Sequence, residues 1–286
     1  MLLFQTKYGS RHSEPIRQTR DEHLKRCLFE AALMLHVNYE FCLHVAMRLR
    51  PGGRFLDYGC GSGQIVVAGR ERSLDIYGSD VFFGGGPASR PAAEATGLFG
   101  TGILPMIDDR LPFPDDHFDF VFHNQVFEHV PDINLALKEI FRVLKPSGLM
   151  LSIFPSREII WDGHCGIPFI HWFPRESRIG YAWLLALRKL GLGFNKFEKS
   201  PEQWTQDLIN YLHDWCHYRP LRELVKAYDA QGFTFDSLET EYIRFRLAYH
   251  GRQRWVPAFE FSEPLARRLL RRLASMIILS SKCPAR

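Results

Sequence analysis

The sequence predicts a doubly wound α/β fold, in which helices cover both faces of a mostly parallel sheet. Short apolar runs alternate with helical patterns between residues 54 and 155. One of these runs, Phe118–His123, carries apolar side chains on both faces, as a buried parallel strand does. A glycine-rich turn follows the first run, Arg54–Tyr58, at the position where open α/β sheets bind their ligands.

The elements are predicted in chain order from apolar spacing and from helix-breaking residues. Apolar residues at helical spacing indicate one or two helices over Arg20–Leu49, which a Pro-Gly-Gly sequence ends. The first residue of a helix over Asp132–Leu144 is placed to act as its N-cap, and Gly232 is placed to end the helix Leu221–Gln231. The remaining predicted elements are the strands Leu74–Ser79, Ile103–Ile107 and Leu149–Phe154, the helix Gly63–Arg70, and one or two strands over Phe233–Leu247.

We expect one domain over residues 1–286, with an α-rich insertion after the fifth strand. Residues 156–218 interrupt the alternation of strands and helices, and they hold five of the six tryptophans and four of the twelve histidines. Such a segment is expected to lie over one edge of the sheet as a substrate cap. The expected order is an N-terminal helical segment (1–53), a ligand-binding core (54–155), the insertion (156–218), a closing helix and strands (219–250) and a basic C-terminal helix (251–286).

The composition excludes several classes of protein. Hydrophobic residues make up 46% of the chain and charged residues 24%, as in soluble globular proteins, and no apolar run is long enough to span a membrane. The net charge of +4 is too small to indicate a nucleic-acid partner. Six scattered cysteines without a CxxC pair, and an N-terminus without a signal-peptide pattern, predict a cytoplasmic protein with reduced thiols.

Two further patterns each allow more than one interpretation. From Arg252 onward there are eight Lys or Arg residues and two Glu. The stretch "LARRLLRRLASMIIL", at 265–279, therefore predicts either a helix with an exposed basic face or peripheral contact with an anionic membrane or a lipid-linked substrate. In "HDWCHY", His213 and His217 are four residues apart, which predicts that they share one face of a half-buried helix.

The glycine-rich turn has the sequence "FLDYGCGSGQ" and ends at Gln64. Glycines at positions 59, 61 and 63 lack Cβ, so the backbone can turn sharply and lie against a ligand. The dinucleotide-binding pattern G-x-G-x-x-G requires glycine or alanine where this chain has Gln64. Asp57 lies two residues before the first glycine, where its carboxylate would repel a phosphate and attract a cation. These residues indicate a cationic ligand.

The segment "LDYGCGSG" resembles motif I of class I S-adenosylmethionine (SAM)-dependent methyltransferases. The stretch "LPFPDDHFDFVFHNQVFEHVPDINLALKEIFRVLKPSGLMLSIFPS" is similar to the methyltransferase type 11 group, from the adenine loop through the fifth strand. The resemblance covers roughly Arg54–Ser156. It implies a Rossmann-like sheet of the seven-stranded methyltransferase type, with SAM as the cofactor.

The resemblance also implies roles for individual residues. Asp57 would bind the methionine end of SAM, and Asp80 would accept hydrogen bonds from both ribose hydroxyls. Asp108 or Asp109 would lie beside the adenine amine, with the choice between them open. The other implied cofactor-binding residues are Gly59, Cys60, Gly61, Gly63, Val81, Asn124 and Gln125, of which Asn124 and Gln125 would face the reactive methyl group.

Two histidines are the candidate general bases. His129 follows the fourth strand at the mouth of the sheet, and its alternative role is to pack against the next helix. His164 lies in "WDGHCGIPFIHWFP", at 161–174. This loop either buries a small aromatic core of its own, or places His164 with Asp162 in the acceptor pocket, or binds a metal through Asp162, His164 and His171. Because the spacing matches no standard zinc pattern, we predict no metal.

The predicted reaction is methyl transfer from SAM to a small-molecule acceptor, at a hydroxyl oxygen. The aromatic insertion suits a sugar, a glycan or another natural product, because aromatic walls stack on rings, and a hydroxyl acceptor needs a base to take its proton. The alternatives are C-methylation of a quinone or lipid, which the basic C-terminal segment favours, and a catalytically silent SAM-binding protein. Nucleic-acid methylation is not expected, because the chain has no NPPY-like motif.

Overall fold

An open seven-stranded sheet forms the centre of the computed structural model, which describes residues 35–82, 89–174, 177–196, 199–255, 263–273 and 275–283. The strands are β1 (Arg54–Tyr58), β2 (Asp75–Asp80), β3 (Ile103–Pro105), β4 (Phe118–Asn124), β5 (Leu144–Phe154), β6 (Phe233–Ser237) and β7 (Met276–Lys282). Their order across the sheet is β3-β2-β1-β4-β5-β7-β6. The first five strands pair in parallel, and β7 runs antiparallel to both of its neighbours. The predicted doubly wound, mostly parallel fold is confirmed.

Helices flank this sheet, and three of them lie in the segment between β5 and β6. They are α1 (Val37–Leu49), α2 (Gln64–Glu71), α3 (Ser89–Ala95), α4 (Ile133–Val143), α5 (Arg178–Lys189), α6 (Pro201–Trp215), α7 (Leu221–Gln231), α8 (Glu239–Tyr249) and α9 (Glu263–Leu273). The part of the predicted N-terminal helix before residue 35 lies outside the described residues. In the described part of the chain, the helices are all too short or too polar to cross a membrane.

The strand order reverses between β1 and β4, and this reversal positions the site. β1 pairs with β2 on one side and with β4 on the other. In this register Asp57 lies opposite Gly78 of β2 and Phe122 of β4. A crevice forms at the carboxyl ends of the strands at such a reversal. Asp57, Asp80 and Asn124 therefore come to the same edge of the sheet.

Both faces of β4 are buried, as the apolar run predicts. Phe118 and Val121 belong to one core cluster, Phe120 and Phe122 lie outside that cluster, and all four are fully buried. The apolar side of α4, which includes Leu137, packs into the same core as Phe118 and Val121. This core holds β4, and therefore the residues at its carboxyl end, in a fixed position.

Asp132 caps α4, as predicted. Its side chain accepts hydrogen bonds from the backbone N–H groups of Asn134 and Leu135, at 2.9 and 3.2 Å. We expect Asp132→Ala to lower the free energy of unfolding by about 1 kcal/mol, because these amides lose their acceptor. Urea denaturation measures the loss. Asp132→Ser keeps a capping oxygen and should retain most of the stability, whereas equal losses in both variants would contradict the capping role.

Residues 156–218 form a small apolar core of their own, as one interpretation of the aromatic loop expects. The helices α5 and α6 pack against each other over the loop that precedes them. The buried residues of this cluster are Cys165, Ile167, Ile170, Leu184 and Trp204. The loop that carries His164 is thus held by packed helices.

Two predicted elements differ in the structure. The predicted strands over 233–247 are wrong beyond Ser237, where β6 ends, because the helix α8 begins at Glu239. Acidic residues in the first turn favour a helix N-terminus there. The predicted basic C-terminal helix ends at Leu273, and Met276–Lys282 forms the strand β7. Pairing with two distant strands overrides the helical pattern of this segment.

Candidate functional site

The glycine-rich turn joins β1 to α2 through three left-handed backbone conformations. The φ angles of Gly59, Gly61 and Gly63 are 74°, 51° and 77°. A Cβ at Gly59 would lie 2.6 Å from the side chain of Val126, and one at Gly63 would lie 2.3 Å from Ile103. A Cβ at Gly61 would meet nothing within 4 Å. The first and third glycines are therefore required by packing, whereas the backbone at Gly61 faces open space that a ligand can enter.

Asp80, at the end of β2, holds this turn in place. Its Oδ2 accepts a hydrogen bond from the backbone N–H of Gly61 at 2.8 Å, and its Oδ1 accepts one from Phe82 at 2.6 Å. Burial raises the pKa of Asp80, although the bonds from backbone amides oppose this shift. Each carboxylate oxygen has capacity for a further donor. The side chain can therefore receive two hydroxyls, as a ribose requires.

Asp57, near the end of β1, is a buried carboxylate with an exposed fraction of 2%. Among the residues that the structure describes, none donates a hydrogen bond to its side chain. Burial and then the charge of Asp80 raise the pKa of Asp57 well above its ordinary value. A cation bound beside Asp57 would relieve this cost. The two acceptor carboxylates at the strand tips therefore fit SAM, which has an ammonium, a sulfonium and two ribose hydroxyls.

The other residues predicted to bind the cofactor differ in accessibility. Asp108 and Asp109 have left-handed φ angles of 50° and 58° and lie exposed in a turn after β3, so both remain candidates for the adenine amine. Val81 is 45% exposed. Cys60 is buried, and burial raises the pKa of its thiol. Cys60 is therefore suited to packing the turn and not to acting as a nucleophile.

The end of β4 is supported by Asn38 and Tyr242, which no sequence pattern indicates as site residues. The Oδ1 of Asn124 accepts a hydrogen bond from Nδ2 of Asn38 at 2.9 Å, and the hydroxyl of Tyr242 donates to Oδ1 of Asn38. Gln125 has a φ angle of 56° and donates from Nε2 to Oγ of Ser275 at 3.2 Å. Asn38 and Tyr242 lie on α1 and α8, so no local pattern could link them to β4.

The two predicted bases, His129 and His164, are brought together beside Glu128. One ligand atom from each of the three side chains lies within 4.8 Å of the others. The Nε2 atoms of the two histidines are 3.2 Å apart, and Nδ1 of His129 donates to the carbonyl of Trp215 at 2.7 Å. Burial raises the pKa of Glu128 to about 8 and lowers the pKa of His129. We call these three residues the Glu-His-His cluster.

Asp162 organises the loop behind this cluster. Its Oδ1 accepts hydrogen bonds from the backbone N–H groups of His164 and Cys165, both at 2.8 Å. Its Oδ2 accepts from Nε2 of His171 at 2.8 Å and from the hydroxyl of Tyr218 at 2.7 Å. Burial acts to raise the pKa of Asp162, but its bonds and charge interactions with the two histidines hold that pKa far below the ordinary value. The carboxylate therefore fixes both the backbone and the side chains of the loop.

The segment after α6 completes this arrangement in a way that the sequence does not predict. The hydroxyl of Tyr218 lies 3.0 Å from Nδ1 of His164, although the two residues are 54 positions apart. The predicted pairing of His213 and His217 on one helix face is wrong, because α6 ends at Trp215 and Cys216 is extended. Instead, this extended segment lies against the loop after β4, where the N–H of His217 donates to the carbonyl of Glu128 at 2.6 Å.

A cavity of about 350 Å³ borders the Glu-His-His cluster. Aromatic and charged side chains surround it, so it can hold a ring and also bond to its polar groups. The lining residues include His164, Lys199, Trp204, Asp207 and Tyr211. A second cavity, of about 290 Å³, is lined in part by His171, Cys216 and Tyr218. Both cavities lie within the insertion, next to the loop that Asp162 organises.

Known proteins share this fold and the core segment. A family model described as "Methyltransferase domain" matches residues 56–152. The chain is 27% identical to demethylmenaquinone methyltransferase of Lysinibacillus sphaericus over 137 residues, which cover 45% of this chain and 56% of that protein. It is 32% identical to the ubiquinone/menaquinone biosynthesis C-methyltransferase UbiE of Vibrio campbellii over 120 residues, 39% of this chain and 44% of that protein.

Solved structures are also similar to this chain, and one of them covers most of its length. A SAM-dependent methyltransferase from Mesorhizobium loti superposes with a TM-score of 0.50 at 16% identity, and the match covers 84% of this chain and 95% of that one. This likeness shows the fold. The chain spans about half the length of the curated relatives that it matches. The insertion, which carries His164 and Asp162, lies outside the segment that matches the family model.

Proposed function

Residues 56–152 belong to the class I SAM-dependent methyltransferases of the type 11 group, and on this premise we propose that the protein methylates a hydroxyl oxygen of a small polar acceptor such as a sugar. One observation supports a hydroxyl as the group that is methylated. His129 and His164 meet beside a cavity that Trp204 and Tyr211 line. A hydroxyl loses its proton during methylation, and an imidazole pair that reaches the cavity through His164 can take it.

The strand tips hold the cofactor in this proposal. Asp57 pairs with its ammonium end, and Asp80 accepts its ribose hydroxyls while keeping the amide of Gly61 in place. When bound, SAM supplies a methyl group on a positively charged sulfur, which makes that carbon electrophilic. Asn124 ends the strand between these tips and the Glu-His-His cluster. The chain thus needs only to align the acceptor oxygen with the methyl group and to exclude water.

The insertion supplies the acceptor pocket. Lys199 and Asp207 line the cavity beside His164 and form an ion pair at 2.6 Å, so hydroxyl groups can bond to either partner. Trp204 and Tyr211 offer aromatic faces to the same space. Rings with several hydroxyls, such as sugars, match this mixture of flat apolar walls and paired charges.

Replacing His129 with glutamine is expected to lower kcat by about 100-fold or more while leaving the affinity for SAM unchanged, since the imidazole acts on the acceptor. His164→Gln should have the same kind of effect. A panel of sugars and phenols is first screened for S-adenosylhomocysteine formation, and the variants are then assayed on the acceptor that is found. His250→Gln, at an exposed histidine on the end of α8, is the control. Wild-type kcat in both cluster variants would refute a role in proton transfer.

As the pH is lowered, the affinity for SAM is expected to fall at a higher pH than it would if Asp57 had the ordinary pKa of an aspartate. Burial raises the pKa of Asp57 in the free protein, and a bound cation favours the charged carboxylate and lowers that pKa. Binding is therefore full above the raised pKa and is lost as the pH falls through it. Calorimetry at a series of pH values from about 8 to about 5 measures the decline. An affinity constant that does not change over this range would contradict it.

A second candidate function is methylation of a ring carbon in a quinone. The two curated relatives carry names of such enzymes. In this chain the leucines Leu265, Leu269 and Leu273 of α9 are 57%, 50% and 55% exposed, on a helix that also has four arginines. Such a helix suits the surface of an anionic membrane, where quinones are found. Turnover with a demethylated quinol in detergent, and none with sugars, would favour this candidate. SAM binding without turnover on either class would indicate a silent binding protein.

A further inference from the structure

We propose that Glu128, His129 and His164 form a binding site for a divalent transition-metal ion. The three side chains come from two separate parts of the chain and offer one oxygen and two nitrogen atoms within 4.8 Å of one another. Two imidazoles and one carboxylate are a common ligand set for zinc and for ferrous iron. The sequence itself predicts no metal, and the alternative ligand set that it suggests is Asp162, His164 and His171, which differs from this cluster in two of its three members.

The carboxylate of Glu128 is the observation that points to a ligand. The side chain is 1% exposed, and neither of its oxygens has a hydrogen-bond partner among the described residues. A buried carboxylate without a partner is costly, and proteins normally pair such a group or let it bind a metal. The cluster therefore contains a buried acceptor that faces two imidazole nitrogens and has no donor within the described part of the chain.

The two imidazoles are oriented as metal ligands are. Nδ1 of His129 lies 2.7 Å from the carbonyl of Trp215, and a carbonyl only accepts, so this nitrogen carries hydrogen. The hydroxyl of Tyr218 donates its one hydrogen to Asp162, so at 3.0 Å it accepts from Nδ1 of His164. In the neutral rings, both Nε2 atoms then carry lone pairs and point toward each other. Outer hydrogen bonds of this type, from Nδ1–H to a carbonyl or toward a carboxylate, fix metal-binding histidines.

The separation of the Nε2 atoms also fits an ion between them. They are 3.2 Å apart. Zinc–nitrogen bonds of about 2.0–2.1 Å at tetrahedral angles would place two ligand nitrogens about 3.3 Å apart. Two lone pairs at this distance repel each other unless a proton or a metal ion lies between them. A proton shared by the imidazoles would occupy that position but would give the oxygens of Glu128 no donor, whereas a metal ion bonds to all three groups.

Three protein ligands leave a coordination position open, as in catalytic rather than structural metal sites. His164 lines the cavity of about 350 Å³, so a molecule in that cavity can reach this position. With an ion bound, the two Nε2 atoms would be ligands and would not take the proton. The ion would instead bind the acceptor hydroxyl and lower its pKa. This role rests on the proposed function, whereas metal binding itself does not.

The test is titration of the metal-free protein with Co²⁺, after removal of any affinity tag and treatment with a chelator. We expect one equivalent of Co²⁺ per chain, with visible absorption bands of nitrogen and oxygen ligands, and displacement by Zn²⁺. His164→Ala should weaken binding by about 100-fold or more, and Glu128→Gln by about 10-fold or more. Tyr218→Phe, which removes only the hydroxyl behind His164, should weaken it by about 10-fold. His250→Ala should bind as the wild type does.

Near-UV circular dichroism and thermal unfolding establish whether each variant is folded, and Tyr218→Phe provides a mild change if the larger ones fail to fold. The proposal is overturned if the wild type takes up less than one equivalent, or if folded His164→Ala and His250→Ala bind Co²⁺ alike. In that case the imidazoles share a proton. SAM binding, measured by calorimetry without metal, separates this result from a failure of the proposed function. If the protein binds Co²⁺ but keeps full turnover in the presence of a chelator, the metal site stands but has no catalytic role.

Discussion

Asp57→Asn is expected to weaken the binding of SAM by about 30- to 1,000-fold, which corresponds to about 2–4 kcal/mol. The carboxylate is 2% exposed, and none of the described residues donates a hydrogen bond to it, so its electrostatic partner has to come from the ligand. An amide of the same size keeps the packing of β1 but cannot neutralise an ammonium. Isothermal titration calorimetry with SAM and with S-adenosylhomocysteine measures the change.

The same substitution should stabilise the unliganded protein. Burial disfavours the charge of Asp57, as the direction of its pKa shift shows, so removing that charge lowers the free energy of the folded state. The melting temperature without ligand is therefore expected to rise while the affinity falls, as at sites where function costs stability. Asp236→Asn, at an exposed strand aspartate in β6, should change neither quantity. Loss of affinity together with a loss of stability would show instead that Asp57 is structural.

Asp162→Ala is expected to lower the free energy of unfolding by about 3–5 kcal/mol. The carboxylate is fully buried, and it accepts hydrogen bonds from two backbone amides, from His171 and from Tyr218. Removing it leaves these donors unpaired, and each unpaired buried donor costs about 1–3 kcal/mol. Urea denaturation gives the loss. Hydrogen exchange should place the largest increase within residues 156–218, because the bonds of Asp162 lie there.

Asp214→Asn is the matched control, because Asp214 is an exposed aspartate of the same segment, on α6. It should change the free energy of unfolding by less than about 0.5 kcal/mol. Asp162→Asn tests the two halves of the carboxylate separately. Its remaining oxygen can still accept from the backbone amides, but its amide nitrogen donates toward His171 and Tyr218 and so cannot replace Oδ2. A loss as small as that of Asp214→Asn would show that the hydrogen bonds of Asp162 do not hold the loop.

Local chemistry explains why the glycine-rich turn and the aspartates at the two strand tips could be predicted from sequence. Asp132 and Gly232 act on their own helices within a few residues, through a side-chain cap and a left-handed φ angle of 88°. The turn needs glycine at three alternate positions directly after β1, so its pattern can be read from one short stretch of sequence. The adjacency of Asp57 and Asp80 then follows from parallel pairing of consecutive strands.

The proposed acceptor pocket depends on contacts that have no local pattern. His129 and His164 are 35 positions apart, and Asn38 bonds to Tyr242 across 204 positions. The sequence indicates each histidine as a candidate but contains nothing that sets their distance. The sequence also does not show that the carboxylate of Glu128 lacks a hydrogen-bond partner among the described residues, because burial and donor positions are properties of the packed structure. The sequence predicts a helix where β7 forms for the same reason, because the partners of β7 are strands far away in the chain.

The position of β7 has a consequence for biosynthesis. The sheet closes around a strand at residues 276–282 that inserts between β5 and β6. Until those residues leave the ribosome, the nascent chain holds two strands with open backbone donors and acceptors on facing edges, where other strands can add. The sheet therefore cannot close before residues 276–282 are synthesised, and until then the open edges of β5 and β6 favour aggregation of the partly made chain.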